Sequence, residues 1–226
     1  MPGLDTRSAV FNLIMLNLLV FLAVTFLPIN INGMDFRSLL SLYYPASPFF
    51  LPHQLLTHQL THANFTHLFF NMFNLYMFGT MLERVWGQKR LLFFFFATGI
   101  GGALLYVLAN GFQLYQLCGT FMPSTELMLH NTRVAEMANS SCLGASGAVF
   151  GLLAAAGLLF GESEVYIYGV FPVRIKILVL FMIAAEIYMQ FQNNPGDNIA
   201  HLAHLTGAFV GFVIVKVWNK NRTNFF

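Results

Sequence analysis

The chain has 226 residues, of which 57% are hydrophobic and 9% charged. Soluble domains carry roughly 25% charged residues, so this composition excludes an ordinary soluble domain and points to lipid-facing surface. The formal net charge of +2 says little about partners, and no nucleic-acid partner is expected.

Six apolar stretches follow in chain order, at about 9–27, 65–82, 90–109, 144–160, 174–191 and 199–218. Each approaches the ~20 residues that a helix needs to cross a bilayer. The first is too long for the apolar region of a signal peptide and reads as a retained helix. Two larger loops separate the stretches, at 28–64 and 110–143. Pro45, Pro48 and Pro52 interrupt the first loop, since proline breaks regular structure. A short helix near 126–137 is expected in the second. Lys and Arg concentrate in cytoplasmic loops. With the N-terminus inside, the inner set is Arg7, Arg84, Lys89, Arg90, Arg174, Lys176, Lys216, Lys220 and Arg222, and the outer set only Arg37 and Arg133. The expectation is an all-α polytopic membrane protein: one domain over 1–226, six transmembrane helices, both termini cytoplasmic, and outer loops 28–64 and 110–143.

This topology puts polar residues from three helices at one depth. Ser146 opens the fourth helix from the outside. His204 lies two turns into the sixth, and His62, His67 and Asn71 sit at the outer end of the second. Lipid cannot satisfy such groups, so intramembrane polar residues mark a functional site by default. Gly147 and Gly151 give the fourth helix a small-residue face, and Gly207 and Gly211 do the same for the sixth. Such faces let two membrane helices approach closely, as a Ser146–His204 hydrogen bond requires. A serine hydroxyl is a weak nucleophile until a base takes its proton. His204 is the candidate base, with His201 one turn earlier as its rival. No acidic residue lies in the outer half of the second, fourth or sixth helix, so a dyad is expected rather than a triad. The Ser146 N–H, the Asn71 amide and the His67 ring are candidate oxyanion donors.

Three segments carry a resemblance: His67-Leu-Phe-Phe-Asn71, Gly144-Ala-Ser146-Gly147, and Ala203-His204-Leu-Thr-Gly207-Ala-Phe-Val-Gly211. In this order they resemble the rhomboid family of intramembrane serine proteases, over about 50–215. Gln54 to His62, and Glu83-Arg84 with Gly87, also fit the family's pattern. The resemblance implies a rhomboid-like six-helix bundle in which Ser146 is the nucleophile and His204 the base, with His67 and Asn71 as oxyanion donors. It also implies transmembrane protein substrates within a lipid bilayer and no cofactor or metal. A bacterial inner (plasma) membrane is the expected location, with the active site toward the outer face. Substrate entry between the second and fifth helices would make Phe70 and Glu186 candidate gate residues, and 193–197 a candidate cap.

Two other functions compete. His58-xxx-His62 and His201-xx-His204 have ligand-like spacing, and imidazole suits Zn or Fe, so a metal-dependent membrane enzyme is the main alternative. A non-catalytic rhomboid-like protein that binds membrane clients is the other. His53 and His58 read as interfacial or loop-bonding residues, and His130 as solvent-exposed. Cys118 and Cys142 share an outer loop, where a single disulfide is permitted.

Overall fold

The computed structural model describes residues 8–167, 170–191 and 198–220. Helix α1 (Ala9–Phe26) starts where Ser8 accepts a hydrogen bond from the Phe11 N–H (3.3 Å). Glu83 reaches the same helix end, accepting from the Ser8 hydroxyl (2.7 Å) and the Ala9 and Val10 N–H groups (2.7 and 3.3 Å). A carboxylate at a helix N-terminus satisfies orphan donors and complements the helix dipole. The far end of the second apolar stretch is thereby tied to the start of the first.

The loop after α1 is ordered by polar side chains. It holds a short hairpin, β1 (Asn30–Ile31) with β2 (Met34–Asp35), then α2 (Phe36–Leu40), α3 (Gln54–Thr57) and a 3-10 turn at His58–Leu60. Gln54 is fully buried. Its Oε1 accepts from the Leu51 and Tyr43 N–H groups (3.0 and 3.4 Å), and its Nε2 donates to Phe49 O (3.0 Å). One amide thus serves both sides of the proline-broken segment, which has no ladder of its own.

Asn64 caps α4 (Phe65–Asn74) by accepting from the His67 N–H (2.8 Å). A π turn at Leu75–Gly79 joins α4 to α5 (Thr80–Trp86). Helix α6 (Gln88–Cys118) runs well past the expected end near 109. Hydropathy marks where a helix leaves lipid, not where its hydrogen bonds stop. The polar residues from Asn110 onward continue the helix outside the apolar belt. Its extension packs through Leu114 against α7 (Thr125–His130) and α8 (Thr132–Asn139), with Met128, Val134 and Ala138 in one small core. The single helix expected there is two, because Asn131 closes the first and caps the second. Cys118 and Cys142 are both free thiols.

Helix α9 (Ser146–Leu159) is buried from Ala148 to Ala156. A helix apolar all round belongs in the centre of a bundle, and α6 and α11 (Asn198–Lys220) flank it there. Strands β3 (Glu164–Ile167) and β4 (Phe171–Arg174) form an unanticipated hairpin that leads into α10 (Ile175–Gln190), with Val165 opposite Val173. Ile177, Leu180 and Phe181 of α10 face outward, as do Leu19, Phe69 and Phe73 of α1 and α4. Among the described residues three helices are long and apolar enough to cross a membrane: Ala9–Phe26, Gln88–Cys118 and the stretch His201–Asn219; Ser146–Leu159 is a shorter apolar helix.

Contact between α9 and α11 is nearly backbone on backbone. A Cβ at Gly211 would lie 2.7 Å from Gly151 Cα, and one at Gly207 would overlap the Gly147 carbonyl. On its other side α11 meets α6, where the Thr206 hydroxyl donates to Gly102 O (3.0 Å). Overpacking a close-packed site costs about 1–3 kcal/mol, and occasionally more. Because backbone cannot move aside, Gly211→Val is expected to reach or exceed that range. The measurement is a lowered unfolding midpoint of the purified variant in detergent.

Candidate functional site

Ser146 stands at the first position of α9, and a strained turn delivers it. Gly144 has φ of +123°, a conformation side chains rarely adopt. Its N–H donates to His58 O (2.8 Å). A Cβ there would lie 2.8 Å from His67 Nε2 and 3.6 Å from Ser146 Oγ. Glycine is therefore required twice at 144, for the backbone and for the close approach of the His67 ring. The same distances put His67 beside Ser146.

His204 comes from α11. Its ring stacks on Phe150, with centroids 4.6 Å apart and planes 7° from parallel. Phe150 is four residues after Ser146, so both lie on one face of α9. Gly147 packs against the Ala203 carbonyl, which lies 3.5 Å from where a Cβ would be. His67 lies within electrostatic reach of His204. Ser146, His67 and His204 thus converge on one region. Among the described residues Ser146 Oγ makes no hydrogen bond to His204; the two are related through Phe150, on whose ring His204 stacks. The Asn71 Nδ2 donates to His67 O one turn back (2.9 Å). An amide carries two N–H donors, so its second is left for the site.

Glu186 overturns the expectation that no acidic residue reaches the imidazole. His201 Nδ1 lies 2.6 Å from Glu186 Oε2 in a buried hydrogen bond. His204 Nδ1 lies 3.0 Å from the same oxygen, at ion-pair distance but off the line of a hydrogen bond. Glu186 and His201 are each 8% exposed. The expectation failed because only the second, fourth and sixth helices were considered, whereas the carboxylate arrives from the fifth. Its carboxylate turns toward α11 and its two histidines. Phe70, the other gate candidate, is exposed on α4 and meets Phe69 edge to face. The candidate cap at 193–197 lies outside the described residues.

Glu186, His201 and His204 also form the one His and carboxylate cluster, among the described residues, whose ligand atoms lie within 4.8 Å of one another. Two ligands of one tetrahedral zinc at ~2.0–2.1 Å bond lengths sit about 3.3 Å apart. The 2.6 Å His201–Glu186 contact is shorter than that, and suits a shared proton better than a shared ion.

The remaining histidines are structural neighbours. His58 Nδ1 donates to Gln54 O (2.8 Å), and His53 Nε2 lies 2.9 Å from Leu39 O. His62 is fully buried, its ring edge to face with His67 at 5.1 Å, and neither ring nitrogen has a partner. His130 is exposed, as expected.

A membrane-embedded helical bundle with a serine and two histidines gathered near one end of its central helix is the class that fold and site define. The Rhomboid domain family matches residues 52–220, and the chain belongs to the rhomboid family and is an integral membrane protein. It is 29% identical over 173 residues to RHOMBOID-like protein 12, mitochondrial, of Arabidopsis thaliana, covering 76% of this chain and 48% of that one. To Rhomboid-like protein 11, chloroplastic, of the same plant it is 29% identical over 221 residues, covering 94% and 66%. To Rhomboid protease AarA of Providencia stuartii it is 28% identical over 157 residues, covering 69% and 52%. The chain thus spans about half to two thirds of the length of these relatives.

Burial pushes His58 down to about 4 and His62 to about 3. Both stay neutral in the folded chain, whereas the unfolded chain takes up protons near pH 6.5. Below that pH the unfolded state binds more protons, so stability is full above about 6.5 and falls as pH drops toward 4. The thermal midpoint in detergent should therefore fall from pH 7 to 4.5. His58→Gln should flatten part of that slope.

Proposed function

We propose that this chain is an intramembrane serine endopeptidase that cleaves transmembrane segments of other membrane proteins. The observation that carries the proposal is the convergence of Ser146, His67 and His204 at the N-terminal end of the central helix. In this reading His204 Nε2 takes the Ser146 proton as Oγ attacks the scissile carbonyl carbon. The oxyanion is met by the Ser146 N–H, the His67 ring and the free Asn71 N–H. His204 then gives the proton to the leaving amine, the C–N bond breaks, and an acyl-enzyme remains. Water, deprotonated by the same imidazole, hydrolyses it and restores Ser146. His204 is preferred to His201 because it stacks on the serine-bearing helix and lies beside His67.

The bundle is proposed as a single domain that crosses the membrane six times, with the Lys- and Arg-rich ends in the cytoplasm, as nine inner against two outer cations favour. Helix α9 has 14 residues, about 21 Å at ~1.5 Å rise, against a hydrocarbon core of ~30 Å. Its shortness supports a recess on the outer side, where water and a substrate segment meet Ser146. Phe70 faces the lipid at that level and is proposed to border the entry. Plant organelle and bacterial proteins both stand among the relatives, so the proposal specifies the outer face of an energy-transducing type of membrane: bacterial plasma membrane or its organelle counterpart.

Ser146→Ala is expected to abolish cleavage of a transmembrane reporter in reconstituted vesicles while the folded protein persists. Asn71→Ala should lower kcat, since losing one oxyanion donor costs about 10²–10³ in rate. A fluorophosphonate probe should label the wild type at Ser146. Undiminished cleavage by Ser146→Ala defeats the proposal, as does activity that a chelator abolishes and zinc restores.

A further inference from the structure

Glu186 is a buried carboxylate that the Ser146–His204 mechanism leaves unused. We infer that it is the acidic third member of the machinery, a positioning residue that holds His204 in its Nδ1–H tautomer while His201 holds the carboxylate. The inference rests on the reading of Ser146 and His204 as nucleophile and base, and it replaces the dyad with a Ser–His–Glu arrangement.

One carboxylate oxygen, Glu186 Oε2, lies 2.6 Å from His201 Nδ1 and 3.0 Å from His204 Nδ1. An ionised carboxylate only accepts, with two lone pairs on each oxygen. Both imidazoles then carry their proton on Nδ1. On His204 that tautomer leaves Nε2 unprotonated, the state a general base needs to take the Ser146 proton. With the proton on Nε2 instead, the ring could only donate to Ser146 Oγ, and the nucleophile would stay unactivated.

Three contacts keep this arrangement in place. Phe150 fixes the plane of the His204 ring by stacking. His201 lies one helical turn before His204, so both reach one point. The hydrogen bond of His201 fixes the rotamer of Glu186. His204 still needs a small rotation to bring its N–H onto the line to Oε2. Among the described residues the groups around His204 are Glu186 from α10, His201 from its own helix, His67 from α4, and Ser146 and Phe150 from α9. Glu186 is the one anion in that set. As the ring becomes imidazolium in the transition state, this carboxylate stabilises it, and burial of the pair strengthens the attraction.

Glu186→Gln tests the idea because an amide has both a donor and an acceptor. Whichever amide atom takes the place of Oε2 faces both Nδ1 atoms: oxygen there is an acceptor without charge, and N–H₂ there draws both rings into the other tautomer. The expected result is a fall in kcat of at least about 10²-fold with KM little changed. The acid limb of the kcat–pH profile should also move to lower pH, because the imidazolium has lost its anion. Glu186→Asp should recover part of the rate and return the limb toward its wild-type position. An unmoved acid limb with kcat within twofold of wild type overturns the inference. So does a loss of activity in Gln that Asp leaves equally complete while both variants remain folded.

A measurement on the wild type decides the matter if the variants do not fold. With ¹⁵N-histidine in detergent micelles at pH 7.5, the His204 signals, assigned by difference against His204→Gln, should show a protonated Nδ1 and an unprotonated Nε2. The opposite tautomer overturns the inference. Should Ser146→Ala retain cleavage, the protease reading fails first, and the tautomer then reports only a structural pair.

Discussion

The structure depends on how close two helices can come. Gly207 and Gly211 of α11 lie against the Gly147 and Gly151 backbone of α9 with no room for a Cβ of their own. Lipid gives no hydrophobic drive for helix association, so packing at close range and interhelical hydrogen bonds hold such a bundle. The approach also sets the site. It brings the Ala203 carbonyl against Gly147 and puts the next residue, His204, over Phe150. Any spread of this pair would carry the imidazole away from Ser146. Stability and placement of the candidate base are therefore one constraint.

A second constraint acts from the loop side. Gly144 is pinned by the His58 carbonyl, and His58 itself is pinned to Gln54. Gln54 in turn gathers the backbone of the proline-rich segment. A chain of local hydrogen bonds thus runs from an irregular loop to the turn that presents Ser146. It explains how a segment with little secondary structure can bury Tyr43, Tyr44, Ser47 and Gln54. Polar backbone at such a place must be satisfied within the protein, and side-chain amides and imidazoles supply the partners that strands or helices would otherwise give.

Much of this was legible in the sequence. Apolar runs located the principal helices to within a few residues, apart from the extension of α6, where polar residues continue a helix that hydropathy had ended. The glycine spacings predicted the α9–α11 contact because i, i+4 residues share a face. Phe150 could have been found by that same rule, being four residues after Ser146. The hairpin of β3 and β4 left no such trace: Glu164-Val-Tyr-Ile and Phe171-Pro-Val-Arg are too short to alternate clearly. Glu186 was visible as a carboxylate within an apolar run, yet its partners were not. Which side of α10 meets α11 is decided by packing between helices, and the Glu186 to His204 separation of 18 residues crosses a loop whose path no periodicity encodes.

Glu186 also bears on what selects a buried charge. Removing a carboxylate from water costs several kcal/mol, and replacing a buried ion pair by apolar residues is often neutral or stabilising. Two imidazole N–H donors offset part of that cost here, but an apolar side chain on α10 would meet no such cost and would pack equally against lipid or helix. The fold does not need this carboxylate in the way it needs Gly207. Its cost is accepted at one point only, where a single oxygen faces Nδ1 of the candidate base. A group that is expensive for folding and aimed at one ring nitrogen is best explained by what that nitrogen must do. The alternative, that it merely joins α10 to α11, accounts for the hydrogen bond to His201 but leaves unexplained why the same oxygen also stands 3.0 Å from His204 Nδ1.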